Sequence, residues 1–425
     1  MQTHHHPLLQ WRQSTALRLV AVGPTLLLIY VIAVVRTENF TGFSDSLDVP
    51  FPPYQTVQLD TDDHTEPLPE QRCSTSITIH APVVTPRPNA SHMIFGVATS
   101  VERLCGSLDS FAHWAGGTNA HIVAVVDNEG SVTQSEKRAT ELGIRLTIIQ
   151  NSDELLDRYF SLIRTLLERK NELTKWIVLI DDDTFFPSMK NLVQRMAIYD
   201  PTEPQYIGAL TEDMSQMYYG SHMAYGGAGI FLSIPLVQQL SAVFDDCYDF
   251  KHSGDRMIAQ CIYHHTTTKL KWERGLHQLD LRGDASGFYE SGRPLPLSLH
   301  HWKSWFHADM VALSKVAAIC GEPCLLRRWR LSDDWYLING FSVIQYSTPL
   351  PDSITMEQTW DNSKYKGPDP FAYSLGPLRK KDEGKVSFRL KEAIEETDRV
   401  RQIYVHKTAP ERKPQVLEVV WKLVH

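Results

Sequence analysis

Positive charge is in short supply in this sequence. Its 42 lysines and arginines are outnumbered by 50 aspartates and glutamates, giving a formal net charge of −8 over 425 residues. General nucleic-acid binders are basic, so nucleic acid is excluded as a partner. Long apolar runs are nearly absent too: the mean hydropathy is −0.26, which excludes a multi-span membrane protein but not a single span. No GxxxxGK[ST] loop occurs, which removes the P-loop nucleotide hydrolases. Cysteine is scarce, and its six copies lack the paired CxxC spacing of a zinc site. No internal repeat is evident. The 42% hydrophobic and 22% charged fractions exclude a largely disordered or collagen-like chain.

The one long apolar run is Leu19 to Val35, uncharged throughout and at the short end of what crosses a bilayer. Arg12 and Arg18 precede it, and a run of acids from Glu38 to Glu70 follows. The positive-inside bias then puts residues 1–18 in the cytosol and the bulk of the chain across the membrane. A cleaved signal peptide is the competing reading, with a shorter core and small residues at its cleavage site. Residues 36–90 are proline-rich with little periodicity, the pattern of an extended stem. They include the sequons Asn39-Phe-Thr and Asn89-Ala-Ser. In an oxidising lumen the even cysteine count predicts disulfides, and proximity pairs Cys247 with Cys261 and Cys320 with Cys324.

From Met93 the chain alternates strands (93–99, 121–127, 144–150 and 175–183) with helices (101–114 and 153–173). The strands are apolar throughout, which predicts a mostly parallel sheet covered on both faces, an α/β class of Rossmann-like architecture. Ligands of such sheets bind at the carboxyl ends of the strands. Further helices are expected over 235–244 and 255–263, and a charged helix near 391–401.

The strand Lys175-Trp-Ile-Val-Leu-Ile stops at Asp181-Asp182-Asp183. Three like charges at the end of a buried strand repel one another unless a cation is near. Alternation puts Asp181 and Asp183 on one side. That D-x-D spacing suits a hard divalent ion with oxygen ligands, which can in turn hold a diphosphate. A solvated acidic turn is the plain alternative. A haloacid-dehalogenase-type phosphohydrolase would need Thr or Val where Phe185 stands.

Five ordered blocks, WIVLIDDDTFF, MAYGGAGIFLS, SGDRMIAQCI, LHQLDLRGDASGF and LSLHHW, resemble the Fringe-like glycosyltransferases of family 31. The likeness is nearest to the branch labelled domain of unknown function 604, and covers about residues 93–346. It implies a GT-A-like fold and metal-dependent, inverting transfer from a nucleotide sugar, usually a UDP-sugar, with Mn2+ or another divalent cation as cofactor. By the same likeness Asp181 and Asp183 are metal ligands, and one of His300 and His301, with His300 favoured, completes the site. Asp255 matches the second acid of the family's catalytic pair and would deprotonate the acceptor hydroxyl, while Gly254 stands where the first acid would be. Gly226 and Gly227 match the glycine-rich segment beside the sugar. Thr99, Arg103, Asp127 and Asp182 are candidates to face the nucleotide at the strand ends. Trp302, Trp305 and Phe306 read as core packing ahead of sugar stacking.

The expected organisation is therefore a tail (1–18), a type II anchor (19–35), a stem (36–90), a transferase domain (91–346) and a C-terminal extension (347–425). The expected enzyme faces the lumen of the Golgi, or of the endoplasmic reticulum, and acts on a glycan or glycoprotein acceptor. A degenerate, glycan-binding transferase fold and a metal-dependent phosphohydrolase are the alternatives.

Overall fold

The computed structural model describes residues 54–63, 74–82, 84–213, 216–217, 222–351, 354, 356–361, 378–406 and 414–423. The predicted anchor lies outside them. Among the described residues no helix is long and apolar enough to cross a membrane.

Strands β1 (Tyr54–Asp63) and β2 (Ser74–Pro82) come first. β3 (Met93–Thr99), β4 (His121–Val126), β5 (Arg145–Gln150), β6 (Trp176–Ile180), β7 (Tyr206–Gly208), β8 (Ile230–Ser233) and β9 (Leu270–Trp272) then build a seven-stranded sheet in the order β5-β4-β3-β6-β8-β7-β9. The strands predicted from continuous apolar runs are all present. Pairings among β5, β4, β3 and β6 are parallel, as is β7 with β9, while β8 runs antiparallel to both β6 and β7. The sheet is thus mixed, and helices flank it.

One face carries helices Leu155–Glu168, Ile234–Ala242 and Gly254–His265 over Ile177, Leu179 and Ile230. Side chains on helix Leu155–Glu168 recur at i, i+3, i+4 and i+7, so Tyr159, Phe160, Ile163 and Leu166 point inward. Leu155, the first residue of that helix, is exposed. The opposite face packs Phe95, Val97, Val178 and Ile180 against Phe111 and Trp114. The helix expected over 101–114 is two helices, Val101–Cys105 and Leu108–Ala115, broken at Gly106, which caps the first.

A second sheet corrects two expectations. β10 (Arg328–Arg330), β11 (Trp335–Ile338) and β12 (Ser342–Tyr346) are followed by a short parallel pair, β13 (Met356–Glu357) with β14 (Leu378–Arg379). β15 (Lys385–Glu395), β16 (Arg399–His406) and β17 (Gln415–Leu423) complete the chain. Eight of these strands pair in the order β10-β11-β12-β15-β16-β17-β1-β2. Divisions at residues 90 and 346 therefore do not separate structural units: β1 and β2 of the supposed stem pair with the C-terminal strand, and β12 pairs with β15. No helix forms near 391–401, since that stretch lies in β15 and β16. Its charges, most of them exposed, hid an alternation whose buried positions include Ala393 and Val400, and β15 carries further charges that are partnered inward. Lys385, with a side chain 2% exposed, lies against Glu290 and Glu357, and Arg389 against Glu290. Buried unpaired, each such charge would cost several kcal/mol.

Disulfides join Cys247 to Cys261 and Cys320 to Cys324, and Cys105 is a free thiol. Cys73 lies outside the described residues.

Candidate active site

The site lies at the carboxyl end of β6, where the apolar strand gives way to Asp181, Asp182 and Asp183. Two contacts fix the turn that follows. Thr184 Oγ1 accepts the Asp181 N–H (3.0 Å) and donates to the Gly227 carbonyl (2.9 Å), tying the acids to the glycine-rich segment. Phe185 and Leu299 exchange backbone hydrogen bonds at 2.8 Å, which delivers the next residue, His300, to the carboxylates.

His300 Nε2 lies 2.9 Å from Asp183 Oδ1 and 3.2 Å from Asp181 Oδ2. Its Nδ1 faces the Gln278 carbonyl at 3.1 Å, so Nδ1 donates there and Nε2 is turned toward the acids. Burial alone would lower the His300 pKa. The hydrogen bonds to Asp181 and Asp183, reinforced by their charges, overcome it and push the value up to about 10. Burial would likewise raise Asp183, yet the His300 contact holds its carboxyl well below the usual range. Asp181 is 41% exposed and forms the open side of the cluster. Two carboxylates and one imidazole nitrogen converging at strand ends are a donor set for a borderline divalent cation. Asp183, His300 and His301 also bring one ligand atom each within 4.8 Å of one another. His301 Nε2, however, is engaged by Asp280 at 3.0 Å, and its ring stacks on Trp305, which leaves His300 as the better ligand.

The backbone around His300 has been cleared for it. A Cβ on Gly227 would lie only 2.1–2.3 Å from three atoms of the His300 ring. Gly226 is constrained from the other side: its Cβ would lie 2.5 Å from the Tyr159 hydroxyl oxygen and 3.7 Å from Asp181 Oδ1. Both glycines therefore serve close approach of side chains to backbone.

Asp255 is the second residue of helix Gly254–His265, whose N-cap is Ser253. Asp255 therefore stands two positions after the N-cap. Asp255 Oδ1 accepts from Ser253 Oγ (3.1 Å) and the Arg256 N–H (2.8 Å), and Oδ2 from the Gly226 N–H (3.4 Å). Burial, assisted by the charge of Asp181, raises its pKa, against the lowering pull of these donors. Gly254 has a steric reason to lack a side chain: a Cβ there would lie 2.3 Å from Cδ1 of Tyr159.

Thr99, Arg103 and Asp182 come together as a second cluster. Arg103 holds Asp182 in a fork, Nε to Oδ2 at 2.7 Å and Nη2 to Oδ1 at 2.6 Å, and Thr99 Oγ1 donates to the same carboxylate. The Asp182 carboxylate is thus engaged by protein donors, and the fork fixes the β3 loop against the acidic turn. Asp127 stands apart from this cluster. It accepts the Val101 and Glu129 N–H groups, both at 3.3 Å, and shapes its own loop. Trp302 and Phe306 are buried in the core, with Trp305 packed against it.

Sequence reasoning missed Tyr159, Gln278, Ser304 and Asp280. Ser304 donates to Asp183 Oδ2 at 3.2 Å. Tyr159 was legible only as an apolar position of its helix, since period reveals burial and not the target of a hydroxyl.

Residues 215–311 match the family described as "Protein of unknown function, DUF604". This stretch holds Gly226, Gly227, Asp255 and His300. Over 108 residues the chain is 29% identical to a human β-1,3-glucosyltransferase, a stretch amounting to 24% of this chain and 20% of that protein. Among solved structures, the mannosyltransferase PcManGT from Pyrobaculum calidifontis, in complex with GDP-Man and Mn2+, is 14% identical, with a TM-score of 0.30 over 45% of this chain and 58% of that one. The glycosyltransferase GlyE of Streptococcus pneumoniae is 14% identical, with a TM-score of 0.34 over 51% of this chain and 55% of that one. Over the part of the chain that these sequence matches cover, the similarity is to the DUF604 family and to a glycosyltransferase.

Proposed function

We propose that this protein is a metal-dependent, inverting glycosyltransferase of GT-A-like fold. It moves a hexose or N-acetylhexosamine from a UDP-sugar to a glycan or glycoprotein acceptor. The observation that carries this reading is the convergence of His300 Nε2 on Asp181 and Asp183, with Asp255 bonded to the same glycine-rich segment. The similarity to a β-1,3-glucosyltransferase supports the reaction class.

Asp181, Asp183 and His300 would hold the divalent cation, Mn2+ being the expected one. Bound there, it supplies charge to offset the diphosphate of the leaving UDP. The remaining steps belong to the chain itself. Gly226 and Gly227 leave room for the donor beside the acids. The Arg103–Asp182 fork holds the β3 loop in place. Asp255 accepts the proton of the attacking acceptor hydroxyl, and its raised pKa makes it a stronger base than an ordinary carboxylate. One such base suffices for a single displacement with inversion. Packing of Tyr159 against Gly254 accounts for the absent second acid without invoking a degenerate site.

On the charge asymmetry of the sequence we propose a type II anchor at residues 19–35 with the catalytic part in the lumen, of the Golgi or of the endoplasmic reticulum. The test is a donor screen. Purified full-length protein is offered each UDP-sugar in turn with Mn2+ or EDTA, and UDP release is read. Release from one or two donors, abolished by EDTA, supports the reading. No release from any donor, or phosphate release from a generic ester, refutes it.

A further inference from the structure

The Tyr159 hydroxyl is a buried polar group with no hydrogen-bond partner among the described residues. Such a group is costly if left so. Its ring is wedged against two glycines: a Cβ on Gly254 would strike Cδ1, and a Cβ on Gly226 would strike the hydroxyl oxygen itself. A side chain at either position would evict the ring, so its placement is specified by three residues and not by one.

What surrounds the hydroxyl identifies its ligand. The point above Gly226 is flanked on one side by the Tyr159 oxygen and on the other by Asp181 Oδ1. The Gly226 N–H is held by Asp255. Under the proposed function, the diphosphate belongs at Asp181, Asp183 and His300, and the attacking hydroxyl at Asp255. On that reading the transferred sugar would lie between these two. Burial, with the charges of Asp181 and Asp255, holds the phenol in its neutral form. A neutral hydroxyl beside two carboxylates is a poor seat for an anion, but it can both donate to and accept from a sugar hydroxyl.

Resting on that functional reading, we propose that Tyr159 contacts the donor sugar: its hydroxyl hydrogen-bonds a hydroxyl of the hexose being transferred and helps select which sugar is accepted. Sites that hydrogen-bond a substrate hydroxyl discriminate strongly against analogues that lack or misplace it.

The test is Tyr159→Phe in the full-length protein, which keeps the ring and removes the oxygen. Three readouts are taken: the thermal midpoint, UDP binding in the presence of Mn2+, and kcat/KM for every UDP-sugar that the wild type uses or is challenged with. The expected result is an unchanged or raised midpoint and unchanged UDP binding. With them goes a loss of about tenfold in kcat/KM for the preferred donor, the worth of one hydrogen bond. Discrimination between preferred and second donor should narrow by the same factor. Unchanged kcat/KM and unchanged donor preference would overturn the proposal, since the hydroxyl then makes no contact with the donor. A lowered midpoint or an unfolded variant would also overturn it, by showing a structural role for the oxygen. If the wild type releases UDP from no donor, the functional reading fails first and this inference fails with it.

Discussion

Substituting alanine for Gly227 puts the proposed metal site under the most direct strain. The new Cβ would sit 2.1 Å from Cε1, 2.2 Å from Nδ1 and 2.3 Å from Nε2 of His300. Non-bonded carbon contacts are ordinarily about 3.5–4 Å, so the ring must retreat by more than 1 Å. It cannot do so freely. Nδ1 is held by the Gln278 carbonyl, the ring is fully buried, and its backbone is pinned through Leu299 to Phe185. Ligand distances in a working metal site tolerate about 0.2 Å, so Nε2 leaves the coordination position. Even disturbance of a ligand's supporting contacts costs roughly 10–100-fold in metal affinity, or about 1.4–2.8 kcal/mol. Gly227→Ala should therefore raise the Mn2+ concentration giving half-maximal UDP release by at least about tenfold. The assay is a Mn2+ titration of release, with isothermal calorimetry of Mn2+ binding beside it. A double-mutant cycle isolates the cause: in a His300→Ala background the same substitution should cost nothing further, since the three nearest atoms all belong to that imidazole. An unchanged Mn2+ requirement in Gly227→Ala, or an equal loss in both backgrounds, would refute the reasoning.

Replacing Asp255 by Asn should leave UDP binding intact and lower kcat by about 10²–10⁴-fold, measured at saturating donor. In the wild type the base works only when ionised. Because its pKa is raised, the carboxylate is protonated at a higher pH than an ordinary aspartate, so kcat/KM should fall on the acid side with a midpoint above 3.8; a midpoint at or below that value would remove Asp255 from the role. His300, pushed up to about 10 in the cation-free site, must lose its proton to ligate. Mn2+ affinity should consequently rise with pH up to about 10, with release of close to one proton, read from calorimetry in buffers of different ionisation enthalpy. Gly254→Ala should destabilise by roughly 1–3 kcal/mol through overpacking against Tyr159. In a Tyr159→Ala background the same change should cost less than in the wild type, read by denaturant titration.

The buried parallel core was legible because its strands carry continuous apolar runs, the pattern of strands covered on both faces. Asp181 and Asp183 could be singled out because they end an apolar strand, and His300 because its block resembles the histidine segment of the Fringe-like family. The other half of the fold was concealed by its own chemistry. Lys385 and Arg389 read as solvent-facing until Glu290 and Glu357, distant in sequence, are seen to cancel them. β1 and β2 read as stem because prolines flank them, while their pairing partner lies at the far end of the chain. Tyr159 was hidden differently: a hydroxyl on an apolar helix face has the periodicity of a core residue. Gly254, read as a missing catalytic acid, owes its identity to that same unseen ring.

The pairing of β1 with β17 has a consequence for how the molecule is made. Val57 faces Leu423 and Asp63 faces Leu417, so strands from opposite ends of the chain must meet within one sheet. During synthesis β1 and β2 emerge first and can only pair with each other, an isolated hairpin of marginal stability. They must wait for more than 300 residues before β17 arrives, and contacts so distant in sequence form slowly. The first sheet needs neither end and can assemble in the meantime. Closure of the second is then a late step that inspects the whole chain: a product cut short before Gln415 keeps Asp181, Asp183, Asp255 and His300 yet leaves β1 and β16 each with an open edge. Such edges invite pairing with other chains, so the shortened product is expected to self-associate although every residue of the candidate site is present.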